Sequence, residues 1–232
     1  MSRVEGLILH IDTSTDICSV ALSLNSLLLS SYADESMDRR HAALLPLMLK
    51  DLLHKSAKTL QQVSAIAYSQ GPGSYTGLRV GLSSAKAICL AMELPLIAVS
   101  TLHALAHSVL KATEYDFIVS MIDAGRNEVY HAVYDNQYKL VSAPEPLILG
   151  EYSFEELAAN GKKIILVGDG SIKAKAILKP SGSVFYGCEK MLAEHMIIPA
   201  TNKFLTSDFE NLAYSVPFYL KSPQYKKAVI NN

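Results

Sequence analysis

In the first third of the chain the apolar positions fall into three short runs broken by polar pairs and triplets. That pattern predicts strands over residues 6–12, 17–24 and 27–32, joined by tight turns at 13–16 and 25–26. The spacing then changes to alternating helical and extended periods. Helices are predicted over 39–55 and 76–92, with strands over 63–68 and 94–99. The first half thus reads βββαβαβ, a mixed sheet covered by helices. The second half echoes this order without an internal sequence repeat. A helix is predicted over 101–111, a strand over 117–122, and a hairpin of 128–134 with 138–142 about Asn136 and Gln137. A short helix over 154–159, a strand over 163–167, a turn over 168–170 and a helix over 174–178 follow. A strand over 184–186 and helices over 189–196 and 207–215 complete the prediction.

Between the fourth strand and the helix after it, Gly71, Pro72, Gly73 and Ser74 break regular structure, and Ser74 or Thr76 is placed to cap the helix. A strand, glycine-rich turn and helix aim backbone N–H groups at one point, which suits an anion or a closely approaching backbone. The turn lacks the lysine of a P-loop. Gly77 comes one residue too late for G-x-G-x-x-G, and Ser74 does not sit in G-x-S-x-G. Two readings stand: an anion or nucleotide turn formed by Asp12, Thr13, Gly71, Gly73 and Ser74, or close strand–helix packing. Asp12 divides in the same way, between a carboxylate near metal or phosphate and an Asx-turn with Thr13 and Ser14.

Two helical stretches carry almost no polar face: AALLPLML at 42–49 and AKAICLAM at 85–92. Such a helix is buried on both sides. One side takes the sheet, and the other takes either the second half of the chain or another polypeptide.

Half of the 232 residues are hydrophobic and the formal net charge is −1, so no global field draws the protein to nucleic acid. Three scattered cysteines, Cys18, Cys89 and Cys188, make neither a metal spacing nor a disulfide framework and read as free thiols in a reducing compartment. No signal peptide and no run near the ~18 apolar residues of a membrane span is found, so the expectation is a cytoplasmic protein. His103 and His107 share a helical face, but no Glu or Cys stands beside them, and two ordinary helix-face histidines are the plainer reading. Arg39, Arg40 and His41 precede the apolar helix and suit either an interface ion pair or a solvated helix start. Asp123, Arg126 and Glu128 mix charges at a strand junction, where a ligand contact and a turn with local ion pairs are both open. No Ser-His-Asp or Cys-His set has diagnostic spacing.

The stretches IDTSTDICSVAL (11–22), RRHAALLP (39–46), QGPGSYTGLRVG (70–81), AKAICLA (85–91), VSTLHALA (99–106) and EVY (128–130) occur in one order. Together they resemble the TsaB (YeaZ) family of the bacterial tRNA threonylcarbamoyladenosine (t6A) machinery. The resemblance runs along most of the first 135 residues. It implies an α/β, actin-like ATPase (ASKHA, ribonuclease H-like) fold of two related βββαβαβ lobes, the second reduced. Residues 1–100 would form the first lobe with dimerisation helices. Residues 101–232 would form the second, with its C-terminal helix free to pack back on the first.

The implied function is a non-catalytic scaffold supporting threonylcarbamoyl transfer to N6 of adenosine 37 in ANN-decoding tRNAs. The implied partners are a second copy, the catalytic homologue TsaD and the ATPase TsaE, with tRNA reached only through the complex. ATP and magnesium would belong to those partners, with no cofactor, metal or membrane for this chain. The pair His103 and His107 lies outside the place where the catalytic subunit keeps its metal ligands. The implied interface residues are Arg40, His41, Leu44, Leu45, Met48, Val80, Ala87 and Leu90. The family usually has an arginine where Gly125 stands, and Arg126 follows one residue later. The alternative of the same fold is a stand-alone small-molecule kinase, with Asp12 near magnesium, the 71–77 turn near phosphate and residues 168–170 as a second phosphate loop. No nucleophile or metal set supports a peptidase.

Overall fold

The computed structural model describes residues 6–36, 41–110, 112–179 and 181–221. The chain opens as predicted, with β1 (Leu7–Asp12), β2 (Cys18–Leu24) and β3 (Leu27–Asp34). It continues through α1 (His41–Lys55), β4 (Ala65–Gly71), α2 (Tyr75–Met92) and β5 (Leu96–Ser100). A short helix α3 (Thr101–Ala106) leads to β6 (Phe117–Asp123), β7 (Glu128–Asp135) and β8 (Leu140–Ile148). Then come β9 (Ile164–Val167), α4 (Gly170–Ile177), β10 (Val184–Tyr186), a 3₁₀ turn at Ala193–Met196 and α5 (Ile197–Leu205).

The two sheets have one topology. The first runs β3-β2-β1-β4-β5 and the second, in matching direction, β8-β7-β6-β9-β10. In each, the first strand pairs antiparallel with the second and parallel with the fourth. This is the duplicated layout of the actin-like ATPase fold. The second lobe is reduced where α1 has its counterpart. The helix expected over 154–159 is a series of turns, because Phe154 (φ 70°) and Asn160 (φ 58°) take left-handed backbone that a right-handed helix cannot include.

Strands β1 and β4 are buried on both faces, as parallel pairs covered by helices must be. Leu7, Leu9 and Ile11 point into a core under α1 and α2, while Ile8 points into a second core that joins the lobes through α3 and α5. A third core lies under α4 and the 151–161 turns. Cys18 and Cys89 are free and buried, and Cys188 is free and half-buried.

Three further expectations are corrected. The helix predicted over 101–111 stops at Ala106, where the Ser108 hydroxyl donates to Leu105 O at 2.7 Å; Lys111 lies outside the described residues. The helix predicted over 189–196 begins later, as the 3₁₀ turn and α5, whose Pro199 occupies the first turn where its missing N–H costs nothing. No helix forms over 207–215. Asn211 Oδ1 accepts from Ala213 N and Tyr214 N there, and Glu210 N donates to Leu96 O at 2.8 Å.

The C-terminal segment returns to the first lobe through α5 and an irregular strap. Ala193 N donates to Ser19 Oγ and Thr201 Oγ1 to Asn25 O, each at 2.8 Å. Further on, Phe218 N donates to Gln70 O at 2.8 Å. The stretch from about Glu189 to Lys221 therefore covers the sheet of the first lobe rather than extending the second.

Helix α2 sits unusually close to the β1–β2 turn. A Cβ on Gly77 would stand 2.0 Å from Thr13 O, one on Gly73 2.3 Å from Ser14 O, and one on Gly81 2.3 Å from Thr13 Oγ1. We expect Gly77→Ala to destabilise the protein by about 1–3 kcal/mol or more through overpacking against backbone. Gly182→Ala, where a Cβ meets nothing within 4 Å, should stay within about 0.5 kcal/mol of wild type. Urea unfolding of the two variants checks the contrast.

Candidate functional site

The lobes face each other across a cleft of about 850 Å³. Its first-lobe wall is the β1–β2 turn with the start of α2; its second-lobe wall is the end of β6 with the start of α4. At the end of β1, Asp12 Oδ1 accepts from Ser14 N at 3.1 Å and from Ser14 Oγ at 2.7 Å, so the aspartate closes an Asx-turn. Burial pushes its carboxyl above the usual range, opposed by those hydrogen bonds. Thr13 Oγ1 donates to Gly77 O at 2.7 Å, and Ser74 N donates to Ser14 O at 2.7 Å. Ser74 caps α2, its hydroxyl accepting from Gly77 N at 3.2 Å. Gly71 takes φ +119°, and a Cβ there would stand 2.5 Å from Phe218 O. The structure thus brings Asp12, Thr13, Gly73 and Ser74 into one contact and uses the N–H groups of Ser74 and Gly77 within it. That geometry is the close-packing reading of the turn.

The second-lobe wall was largely missed. Asp123 N donates to Asp169 Oδ1 at 2.8 Å, while Asp123 Oδ1 accepts from Gly125 N at 2.6 Å and pairs with Lys173 Nζ at 2.5 Å. Burial raises the Asp169 carboxyl to about 6, and the neighbouring Asp123 and Asp16 charges add to the rise. Across the cleft Lys190 pairs with Glu35 at 2.6 Å. Among the described residues the lining carries five carboxylates, Asp16, Glu35, Asp123, Asp169 and Glu189, against the two lysines Lys173 and Lys190. The sequence leaves Asp123 open between a ligand contact and a turn; it closes a turn on Gly125 N, and its other partners, Asp169 and Lys173, stand about fifty positions away. The only local signal was the turn Gly168-Asp169-Gly170, which matches Gly71–Ser74 in the duplicated topology.

His103 and His107 do share a helical edge, 5.0 Å apart ring to ring. They stack on Tyr134 and Tyr138, and burial lowers both, His107 to about 4. Among the described residues no group of three His, Cys, Asp or Glu is arranged to hold a metal ion.

The proposed interface residues separate into two sets. Leu45 and Met48 are buried in the first lobe's own core. His41 is buried too, its Nε2 donating to Thr15 O at 3.0 Å. A partner cannot reach these three, because α1 turns that face to the sheet; their assignment to an intermolecular contact is corrected. Leu44 and Val80 are half-buried, and Ala87 and Leu90 are exposed. Arg40 lies outside the described residues. Leu47, 60% exposed, was missed, and with Leu90, 76% exposed, it marks the outer side of the α1–α2 layer. Among the described residues, the second half of the chain does not cover that side. It sends Leu212 into the core beneath and Tyr219 to the start of α2.

The family model described as "TsaD: tRNA N6-adenosine threonylcarbamoyltransferase" matches residues 34–229. A relative from Escherichia coli, "tRNA threonylcarbamoyladenosine biosynthesis protein TsaB", is 31% identical over 93% of this chain and 94% of its own length. A "tRNA N6-adenosine threonylcarbamoyltransferase" from Halalkalibacterium halodurans is 26% identical over 62% of this chain but only 47% of its own. The solved structure described as YeaZ from Pseudomonas aeruginosa aligns with a TM-score of 0.79 at 27% identity, over 95% of this chain and 100% of that one. No helix among the described residues is long and apolar enough to cross a membrane.

The raised Asp169 carboxyl has a signed consequence. Its folded value, about 6, lies above its unfolded value, so the folded state binds the proton more tightly and stability falls as pH rises through that window. Asp169→Asn keeps an acceptor for Asp123 N and removes the charge. We expect no gain near pH 3.5 and a gain growing to about 2–3 kcal/mol above pH 7, read by urea unfolding across that range.

Proposed function

The chain belongs to the TsaB (YeaZ) family of tRNA threonylcarbamoyladenosine biosynthesis proteins, and from that membership we propose that it is a non-catalytic scaffold in the cytoplasm. It docks through the outer side of α1 and α2 on a second copy or on the catalytic homologue TsaD. Docking supports threonylcarbamoyl transfer to N6 of adenosine 37, while TsaD and TsaE bring ATP and magnesium and reach the tRNA. The observation that carries this reading is the exposure of Leu47 on α1 and of Ala87 and Leu90 on α2, with Leu44 and Val80 half-buried on the same two helices. Large exposed leucines on a helix pair that the described residues of the second half leave open suit a protein partner. The match to just under half of a transferase supports the same view, since the rest of that enzyme has no counterpart in the alignment.

The kinase reading has less support. The turn offered as its phosphate loop is spent on backbone packing, and the cleft beside it is acidic.

Leu47→Asp combined with Leu90→Asp tests the docking face. Each leucine is worth about 1.5–3 kcal/mol when fully buried, so association should weaken about 100-fold or more. Unfolding, measured at a concentration where both proteins are monomeric, should shift by no more than about 0.5 kcal/mol. Sedimentation of the chain alone and mixed with TsaD reads the first effect, and urea unfolding the second. Unchanged association would move the docking face elsewhere. In reconstitution on tRNA, t6A formation by TsaD with TsaE and their substrates should depend on adding this chain and fall with the double variant. Full activity without the chain would refute the scaffold role.

A further inference from the structure

Beside the cleft lies a second cavity of about 300 Å³, at the seam where three segments meet. The first lobe supplies the turn before α2, the second lobe the β6–β7 turn, and the C-terminal strap the third wall. Its size is at the low end for small-molecule sites. Its chemistry differs in sign from the cleft. Lys221 pairs with Glu128, which cancels both charges. Arg126 stands exposed on the β6–β7 turn and makes no ion pair among the described residues. One net positive charge therefore remains among the described lining residues, next to a cleft whose described carboxylates outnumber its lysines. An anion partitions to the seam and away from the cleft.

The rest of the wall is aromatic. Tyr75 and Tyr219 lie 5.1 Å apart at 37°. Both are held: the Arg79 guanidinium sits 4.0 Å from the Tyr75 ring centroid, and Arg79 Nε donates to the Tyr219 hydroxyl at 3.1 Å. Tyr130, half-buried on β7, completes the lining. The strap that carries Tyr219 is tied at Phe218 N to Gln70 O and at Lys221 to Glu128, so the rings stand in place before any ligand arrives. Rings fixed in advance lower the ordering cost of binding. Aromatic faces with a guanidinium nearby recognise planar rings and anions together.

We propose that this seam pocket binds a planar ring carrying a phosphate, of mononucleotide size, with the phosphate on Arg126 and the ring among Tyr75, Tyr130 and Tyr219. The site does not use the outer side of α1 and α2, so it stands or falls apart from the scaffold reading.

Calorimetric titration of the purified full chain with AMP tests it, with adenosine and ribose 5-phosphate as the arms lacking phosphate or ring. AMP should bind, and each arm should bind about tenfold weaker or worse. Arg126→Glu, on an exposed turn, should weaken AMP about tenfold or more. Tyr219→Ala should weaken AMP while leaving ribose 5-phosphate unchanged. Hydrogen exchange with AMP bound should slow at residues 124–126 and 218–221. No binding at millimolar AMP, binding indifferent to Arg126→Glu, or protection at residues 14–16 and 169–173 would each overturn the proposal. None of these failures touches the sedimentation or reconstitution results.

Discussion

The seating of α2 on the β1–β2 turn sets the geometry of the first lobe. Backbone oxygens of Thr13 and Ser14 occupy the space that side chains at Gly77 and Gly73 would need. Thr13 Oγ1 closes the contact by donating to Gly77 O. Three glycines and an Asx-turn thus bring a helix and a hairpin to backbone distance, where one extra carbon would push them apart. With α2 fixed by this edge, its buried face meets β4 and β1, and the side carrying Ala87 and Leu90 is left pointing away. The same contact uses the N–H groups of Ser74 and Gly77.

Duplication explains much of the remainder. Both lobes use one strand order, and each places a glycine-rich turn between its fourth strand and the next helix. The copies then diverge in electrostatics. The first turn is satisfied by backbone, whereas the second gathers Asp123, Asp169 and Lys173 into a partly buried charge group. Asp169 keeps its place by accepting main-chain hydrogen bonds from Asp123 and Gly170, at the cost of a carboxyl driven toward neutrality. The two cavities between the lobes consequently differ in sign, although they share Tyr75 and Gly125 in their linings.

The C-terminal strap joins these parts. It leaves α5 and pairs with β5 at Glu210. Farther on it meets β4 at Gln70, the start of α2 at Tyr219, and the second lobe at Lys221. A segment with no regular structure of its own is held by neighbours it meets more than seventy residues away in sequence. The lobes are further tied by a common core that includes Ile8, Ile97, Leu102, Leu105, Ile118 and Met196. Such a core makes them one packed body rather than two hinged ones.

Local order in the chain determined the elements and their sequence. The runs around Leu7, Val20 and Leu28, the cap at Ser74 and the hairpin about Asn136 were legible because period, capping and turn chemistry act over a few residues. The family resemblance was legible as well, through the stretch QGPGSYTGLRVG. Tertiary structure decided the rest. Period alone shows that 42–49 and 85–92 are apolar almost all round, but not which side meets the sheet. So Leu45 and Met48 prove to be core, while Leu47 and Leu90 stand open. The helix expected at 154–159 gave way to left-handed residues, and the one at 207–215 to pairing with β5. The group of Asp123, Asp169 and Lys173 and the seam closed by Tyr219 were hidden for one reason. Coulomb forces, hydrogen bonds and ring contacts act through space, and nothing local records which distant residues the fold will make neighbours.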